Sequence, residues 1–183
     1  MTADPPITPL ARLDFLPYVD ADGLLPQQFA GKIGAYAIFS QKPQTLQYVG
    51  YSRDIYLSLK QHLVRQPHSC YWLKVQVIDR PNRTALEAIR ATWLAEYGVE
   101  PVGNQEDQCA HWEQAIEVKS AMTPIEMAQY QDEQLDELAR QKVLKTAARR
   151  LEAEILAILS ARGIQEPLRF NPKLKERGLL DLK

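Results

Sequence analysis

Two short runs of β-forming residues, separated by four residues, constrain the fold of this chain more than any other feature. The runs GAYAIFS, residues 34–40, and TLQYV, residues 45–49, are rich in aromatic and β-branched side chains. The linker QKPQ between them has the length of a hairpin loop. We therefore predict an antiparallel β-hairpin that provides the first two strands of a small sheet.

The residues after the hairpin predict a helix, a third strand and a second helix. Asp54 is suited to cap a helix that runs from residue 55 to about residue 64. The alternating run WLKVQVI, residues 72–78, predicts a strand, and residues 83–98 carry an apolar stripe at helical spacing. The order β-β-α-β-α over residues 31–107 indicates a small α+β domain with helices packed on a sheet.

Different kinds of sequence flank this region. Residues 1–30 contain five prolines, which exclude long helices, but also apolar side chains, so we predict an irregular leader that packs on the domain. Residues 123–183 predict a C-terminal helical extension with a basic tail, and it begins at the capping sequence Thr123, Pro124, Glu126. Acidic residues come first in this extension and basic residues follow. That order is typical of a solvated helix, or of a basic face for nucleic acid or a protein partner.

The composition narrows the class of protein. Hydrophobic residues make up 45% of the 183 residues and charged residues 25%, as in a globular chain, and no apolar run approaches the ~18 residues of a membrane span. Two cysteines, Cys70 and Cys109, are too few for a disulfide framework, and Cys70 is best explained as a buried thiol. We expect a cytoplasmic protein without membrane contact.

Four side chains on the predicted hairpin and helices are candidates for a functional site. Tyr36 and Tyr48 fall on the two paired strands, His62 lies near the end of the first helix, and Glu87 lies on the second. Each has a structural alternative. Tyrosines are common in strands, and a histidine at a helix end can simply face solvent. Glu87 follows Thr84 at the spacing of a capping box, which would turn its carboxylate toward the start of the helix.

Taken together, the tripeptides GAY, residues 34–36, and YVG, residues 48–50, resemble the paired motifs of the GIY-YIG nuclease family. The β-β-α-β-α order strengthens this resemblance, as do the matching positions of His62, Glu87 and Asn104. The whole chain is also similar to standalone cyanobacterial proteins that bear this domain and to the N-terminal domain of plastid monothiol glutaredoxins. No glutaredoxin active-site region is evident in it.

The resemblance implies a site for hydrolysis of a phosphodiester. It implies that Glu87 holds a single Mg²⁺ or Mn²⁺ ion, that Tyr36 and Tyr48 face a cleft where a tyrosine helps to deprotonate water, and that His62 contacts phosphate or assists proton transfer. Such chemistry requires a nucleophile at neutral pH and compensation of the charge on the phosphoryl oxygens. The implied supporting residues are Gly34, Gly50, Ser58 and Asn104.

The sequence departs from the family at one position. The family's catalytic arginine stands eight residues after the glycine of the second motif, where this chain has Ser58. A serine offers a hydrogen bond but no charge, and removal of a charged group from a transition state typically costs ~10²–10⁵ in rate. Arg53, just before the first helix, is the candidate replacement, because an anion is already favoured near a helix N-terminus.

We therefore predict a metal-dependent DNA endonuclease of the GIY-YIG type that is slowed by the missing arginine. Between residues 32 and 65 the basic residues outnumber the acidic ones five to one, which favours DNA as the partner. Two alternatives stay open. One is a module that has lost catalysis and binds nucleic acid or a protein. The other is a scaffold that binds a protein partner through the C-terminal helix and tail.

Overall fold

The computed structural model describes residues 6–42 and 44–183, and these form two compact units. The first unit ends at Glu113, and the second is Gln114–Lys183. The first contains a sheet with helices against it and the second is largely helical, so the predicted α+β class is confirmed.

An antiparallel four-stranded sheet forms the centre of the first unit. In chain order its strands are β1 (Leu16–Pro17), β2 (Ile33–Phe39), β3 (Leu46–Ser52) and β4 (Trp72–Ile78). Their order in the sheet is β1-β4-β2-β3, which leaves β3 at one edge. The predicted hairpin is confirmed as β2 and β3, although β3 continues to Ser52. Its predicted loop includes residue 43, which lies outside the described residues.

Two helices pack on opposite faces of this sheet. Helix α1 (Ile55–Arg65) lies on the face that carries Tyr36, and it buries the apolar stripe Ile55, Leu59, Leu63. Helix α2 (Arg83–Tyr97) packs on the other face, where it buries its own stripe against small and branched strand residues. Burial of such stripes stabilises the fold by about 25 cal/mol per Å² of apolar surface removed from water. Because one helix packs on each face, β2 is fixed between them. The stripe of α2 consists of Leu86, Ile89 and Trp93, and its strand partners include Ala35, Ala37 and Val49.

Side chains at the helix starts explain where α1 and α2 begin. The Asp54 carboxylate accepts a hydrogen bond from the backbone N–H of Leu57, so the predicted cap of α1 is confirmed. At α2 the cap is Asn82, whose side chain accepts from the N–H of Ala85. The possible capping box of Thr84 and Glu87 is therefore wrong, because Thr84 lies inside the helix and Asn82 already fills the capping position.

The described part of the leader, residues 6–30, packs against the sheet and helices of the first unit. Tyr18 is fully buried and its hydroxyl donates to the carbonyl of Leu59, 2.6 Å away. The Glu96 carboxylate accepts hydrogen bonds from the backbone N–H groups of Leu10 and Ala11. A final short helix, α3 (Cys109–Glu113), ends the unit.

The second unit contains three helices and a two-stranded sheet. Helix α4 (Pro124–Tyr130) starts at the predicted capping box of Thr123, and helix α5 (Glu137–Ala161) follows as a separate element. Helix α6 (Pro172–Glu176) lies in the tail, and the sheet pairs β5 (Ile116–Glu117) with β6 (Leu179–Leu180). In the described part of the chain, no helix is long and apolar enough to cross a membrane.

Several basic residues of the extension are paired within the second unit. The Arg150 guanidinium donates to the carboxylates of Glu126 and Glu154, at 2.7 and 2.8 Å. The Lys145 ammonium pairs with Glu176 at 3.0 Å. These ion pairs favour a structural role for that part of the predicted basic face.

Candidate active site

The hairpin brings two tyrosines to the same face of the sheet. Because Tyr36 pairs with Gly50 and Ile38 pairs with Tyr48, Tyr36 and Tyr48 lie diagonally across β2 and β3. Their ring centroids are 6.3 Å apart, and both side chains are largely buried. Tyr36, the last residue of GAY, and Tyr48, the first residue of YVG, therefore meet beneath α1.

Two motif glycines are required here by close packing. A Cβ atom on Gly50 would lie 2.5 Å from Cε1 of Tyr48, so glycine leaves room for that ring. A Cβ atom on Gly34 would lie 2.3 Å from the carbonyl oxygen of Gln76 on the neighbouring strand. Neither glycine has a positive φ, so their role is steric and does not depend on backbone flexibility.

Helix α1 places a buried histidine against the tyrosine pair. Nε2 of His62 lies 2.8 Å from the hydroxyl oxygen of Tyr36, within hydrogen-bond distance. The imidazole centroid is 4.9 Å from that of Tyr48, and His62 is only 3% exposed. His62 therefore does not face solvent but forms part of the floor of the site.

Burial keeps these three side chains uncharged at neutral pH. It raises the pKa of Tyr36 well above its ordinary value, and the nearby Ser58 hydroxyl opposes this only in part. Burial likewise raises the pKa of Tyr48. It lowers the pKa of His62 to about 3, with the positive charge of Arg65 as the next cause. The floor can thus donate and accept hydrogen bonds without holding a permanent charge.

A cleft with a volume of about 350 Å³ lies above this floor, and two arginines line it. Nη1 of Arg65 donates to the carbonyl oxygen of Trp112 at 2.9 Å, and Nε of Arg90 donates to that of Val49 at 3.2 Å. Each guanidinium is therefore positioned by the backbone. The cleft combines two arginines and one carboxylate, Glu113, with hydroxyl and imidazole groups, so its charged side chains are net positive and suit an anion such as a phosphodiester. The other lining residues are Tyr36, Tyr48, Gly50, Tyr51, Ser58, Gln61, His62 and Glu113.

Helix α3 supplies one wall of the cleft. The Trp112 ring stacks on Tyr48 with centroids 5.1 Å apart and an interplanar angle of 8°. The adjacent Glu113 carboxylate accepts a hydrogen bond from the Tyr48 hydroxyl at 2.9 Å. These contacts fix the orientation of the Tyr48 ring.

Asn104 holds the edge strand beside the cleft. Its Oδ1 accepts from the backbone N–H of Val49, and its Nδ2 donates to the Val49 carbonyl, both at 2.8 Å. The residue is 8% exposed. This pair of bonds fixes the segment of β3 between Tyr48 and Gly50.

Glu87 lies outside the lining of the cleft. Its carboxylate accepts from the Tyr51 hydroxyl at 3.2 Å and from Nε of Arg83 at 2.8 Å. The hydrogen bonds from Arg83 and then Tyr51 lower the pKa of Glu87, so the carboxylate is ionised. Among the described residues, no three His, Cys, Asp or Glu side chains gather as a metal site. A metal ion at this position would take one protein ligand, Glu87.

Ser58 and Arg53 occupy different places. The Ser58 hydroxyl lines the cleft and donates to Oγ of Ser52 at 2.8 Å. Arg53 is exposed and lines a second cavity instead, so it is not brought together with Tyr36. The positive charge in the cleft comes from Arg65 and Arg90.

Helical spacing offered a signal for both arginines of the cleft. Arg65 lies three residues after His62 and seven after Ser58, on the same helical face, and Arg90 lies three residues after Glu87. Trp112 and Glu113 had no such signal, because they lie between the predicted α+β domain and the predicted helical extension, where no motif stands out. Only the folded chain shows that this segment returns to β3.

Comparison with known proteins relates part of this chain to a chloroplastic glutaredoxin. No protein-family model matches the chain. The chain is similar to the bifunctional monothiol glutaredoxin-S16, chloroplastic, of Arabidopsis thaliana, with 28% identity over 141 residues. The match covers 72% of this chain and 46% of the relative, so the chain spans less than half of that protein's length. The resemblance to a plastid monothiol glutaredoxin is supported over part of its length, and the GIY-YIG assignment stays a prediction.

Proposed function

We propose that the first unit is a metal-dependent DNA endonuclease that holds the scissile phosphodiester in the cleft above Tyr36. The observation that carries the proposal is the contact between the Tyr36 hydroxyl and Nε2 of His62 beneath two arginines. A proton-accepting pair and a source of positive charge at one place are what phosphodiester hydrolysis requires.

Tyr36 and His62 would handle the proton of the attacking water. The phenol oxygen can accept a proton from water while its own proton passes to Nε2 of His62, 2.8 Å away. The pKa values oppose this transfer, because burial favours the neutral forms of both side chains. The pair therefore works only when the growing negative charge is compensated nearby, and we expect slow cleavage.

Arg65 and Arg90 would provide that compensation in place of the arginine that is missing at Ser58. Each has five N–H donors, of which a backbone carbonyl takes at least one and so orients the group. Charge compensation at a phosphoryl transition state is typically worth ~10³–10⁵ in rate for an arginine.

Glu87 fits the role of ligand to Mg²⁺ or Mn²⁺. Mg²⁺ is usually bound by one or two carboxylates together with substrate phosphate and water, so a single ionised carboxylate is sufficient. The Glu87 side chain is 49% exposed and its ion pair with Arg83 is exposed too. Such pairs contribute little stability, so the carboxylate can exchange its partner. A bound ion would lower the pKa of water and neutralise phosphate charge.

A second candidate is a module that binds the DNA backbone without cutting it. Two observations favour it. The Ser58 hydroxyl is bonded to Ser52 and brings no charge, and Glu87 lies outside the lining of the cleft. The two candidates agree on the binding site and differ on the chemical step.

A nicking assay on supercoiled plasmid, with and without Mg²⁺ or Mn²⁺, separates the two candidates. For the endonuclease we expect metal-dependent nicking that Glu87→Gln abolishes. Glu100→Gln, which removes one exposed carboxylate outside both cavities, should nick like the wild type.

The outcomes of this assay are distinct. Binding of DNA without any nicking would favour the binding module. Nicking that persists unchanged in Glu87→Gln would refute the role given to that carboxylate.

A further inference from the structure

A second cavity lies beside the cleft, between the end of β3 and the start of α2. Its volume is about 590 Å³, and two exposed arginines, Arg53 and Arg83, line it. None of the described residues that line it is acidic, although the Glu87 carboxylate, which is not part of the lining, pairs with Arg83 at 2.8 Å. The cavity is therefore a concave surface with positive charge, to which Arg53 contributes most directly, and the proposed hydrolysis does not use it.

One side chain is shared by both cavities. Tyr51 lines the cleft on one side and the second cavity on the other. Its hydroxyl and Nε of Arg83 both donate to the same oxygen, Oε1 of Glu87. Tyr51 therefore lies between Arg65 and Arg90 on one side and Arg53 and Arg83 on the other.

This arrangement matches the alternation of charge along a nucleic-acid strand. A strand carries one charged phosphate per nucleotide, and uncharged sugar and base come between. Arginines are suited to phosphates, and a tyrosine offers a surface for stacking a base. The two cavities present positive charge, an aromatic ring and positive charge again, in the order in which a strand presents phosphate, base and phosphate.

We propose that the second cavity is a phosphate subsite, in which Arg53 and Arg83 bind the phosphate next to the one held in the cleft, along one DNA strand. The inference rests on the proposed function of the cleft and specifies its substrate: an oligonucleotide strand with at least two successive phosphates. It also gives Arg53 a binding role that differs from the catalytic role expected from the sequence.

The test is the salt dependence of binding to a fluorescein-labelled oligothymidylate, followed by fluorescence anisotropy in EDTA so that no cutting occurs. On a single strand, the slope of log K against log salt becomes shallower by about 0.7 for each phosphate that the protein no longer neutralises. We expect Arg53→Ala to make the slope shallower by about that amount and Arg53→Lys to keep the wild-type slope. Arg12→Ala removes an exposed charge outside both cavities and should leave the slope unchanged.

The outcomes separate this inference from the proposed function. If Arg53→Ala binds like Arg12→Ala while Arg65→Ala weakens binding, the subsite is refuted and the cleft is supported. If Arg53→Ala lowers the slope but plasmid is never nicked, the subsite stands and the endonuclease does not. If the wild type does not bind the strand at all, both are refuted.

Discussion

Replacing His62 with glutamine should make the first unit less sensitive to acid than it is in the wild type. The imidazole is 3% exposed and bonded to the Tyr36 hydroxyl, and burial followed by the charge of Arg65 lowers its pKa to about 3. Glutamine keeps a hydrogen-bonding group of similar reach but does not titrate. The substitution therefore isolates the effect of the ionisable ring.

The magnitude follows from the difference between the folded and unfolded pKa values. In the unfolded chain His62 has its ordinary pKa of 6.5, so below that pH the unfolded state takes up a proton that the folded state does not. The contribution of His62 to stability is thus constant above about pH 6.5 and falls as the pH drops toward 3. Linkage gives about 1.4 kcal/mol per pH unit, or about 2 kcal/mol between pH 7.5 and pH 5.

Urea unfolding followed by tryptophan fluorescence measures this quantity. Trp72, Trp93 and Trp112 are the three tryptophans of the chain, and all lie in the first unit, so the signal reports on that unit. The wild type and His62→Gln share all other ionisable groups. The difference between their losses of stability from pH 7.5 to pH 5 therefore measures the contribution of residue 62. Equal decreases in the wild type and His62→Gln would refute the buried neutral imidazole.

Three further substitutions test separate parts of the structure. Asn104→Ala removes two bonds to Val49 and should lower the free energy of unfolding by about 1–3 kcal/mol in the same urea assay. Gly50→Ala places a Cβ atom 2.5 Å from the Tyr48 ring and should cost about 1–3 kcal/mol and slow nicking; an unchanged midpoint would contradict the packing argument. In the second unit, the hydrogen bond from Arg150 lowers the pKa of Glu126 to about 2. The contribution of Glu126 to the stability of that unit is therefore present above about pH 4.5 and lost as the pH falls toward 2. Circular dichroism should show a smaller loss of helix over that range in Glu126→Gln than in the wild type.

The fold of the first unit follows from local patterns that a sequence displays directly. Alternation predicts β4, the apolar stripes predict α1 and α2, and Asp54 marks the start of α1. The start of α2 was harder, because Asn82 and Thr84 are both good capping residues and only the backbone path decides between them. In the second unit the helical stretch is divided, and α4 and α5 are separate helices.

The candidate site was predictable where it depends on strand register and helical spacing. Pairing of β2 with β3 brings Tyr36 and Tyr48 together, and the position of His62 on α1 brings its ring to them. Helical spacing also gave a signal for Arg65 and Arg90, but it could not show that they, and not Arg53, supply the positive charge of the cleft. Arg53 is close to the site in sequence but lines another cavity, whereas Arg90 reaches the cleft from α2, the helix on the opposite face of the sheet.

The rate of metal-dependent plasmid nicking by Tyr36→Phe tests the central claim most directly. This substitution removes one oxygen atom, the one that contacts His62, and leaves the buried ring in place. Because general acid–base groups contribute typically ~10²–10⁴ to a rate, we predict a decrease of about that size with DNA affinity unchanged. Tyr130→Phe, in the second unit, should nick like the wild type. Nicking by Tyr36→Phe at the wild-type rate would contradict the account.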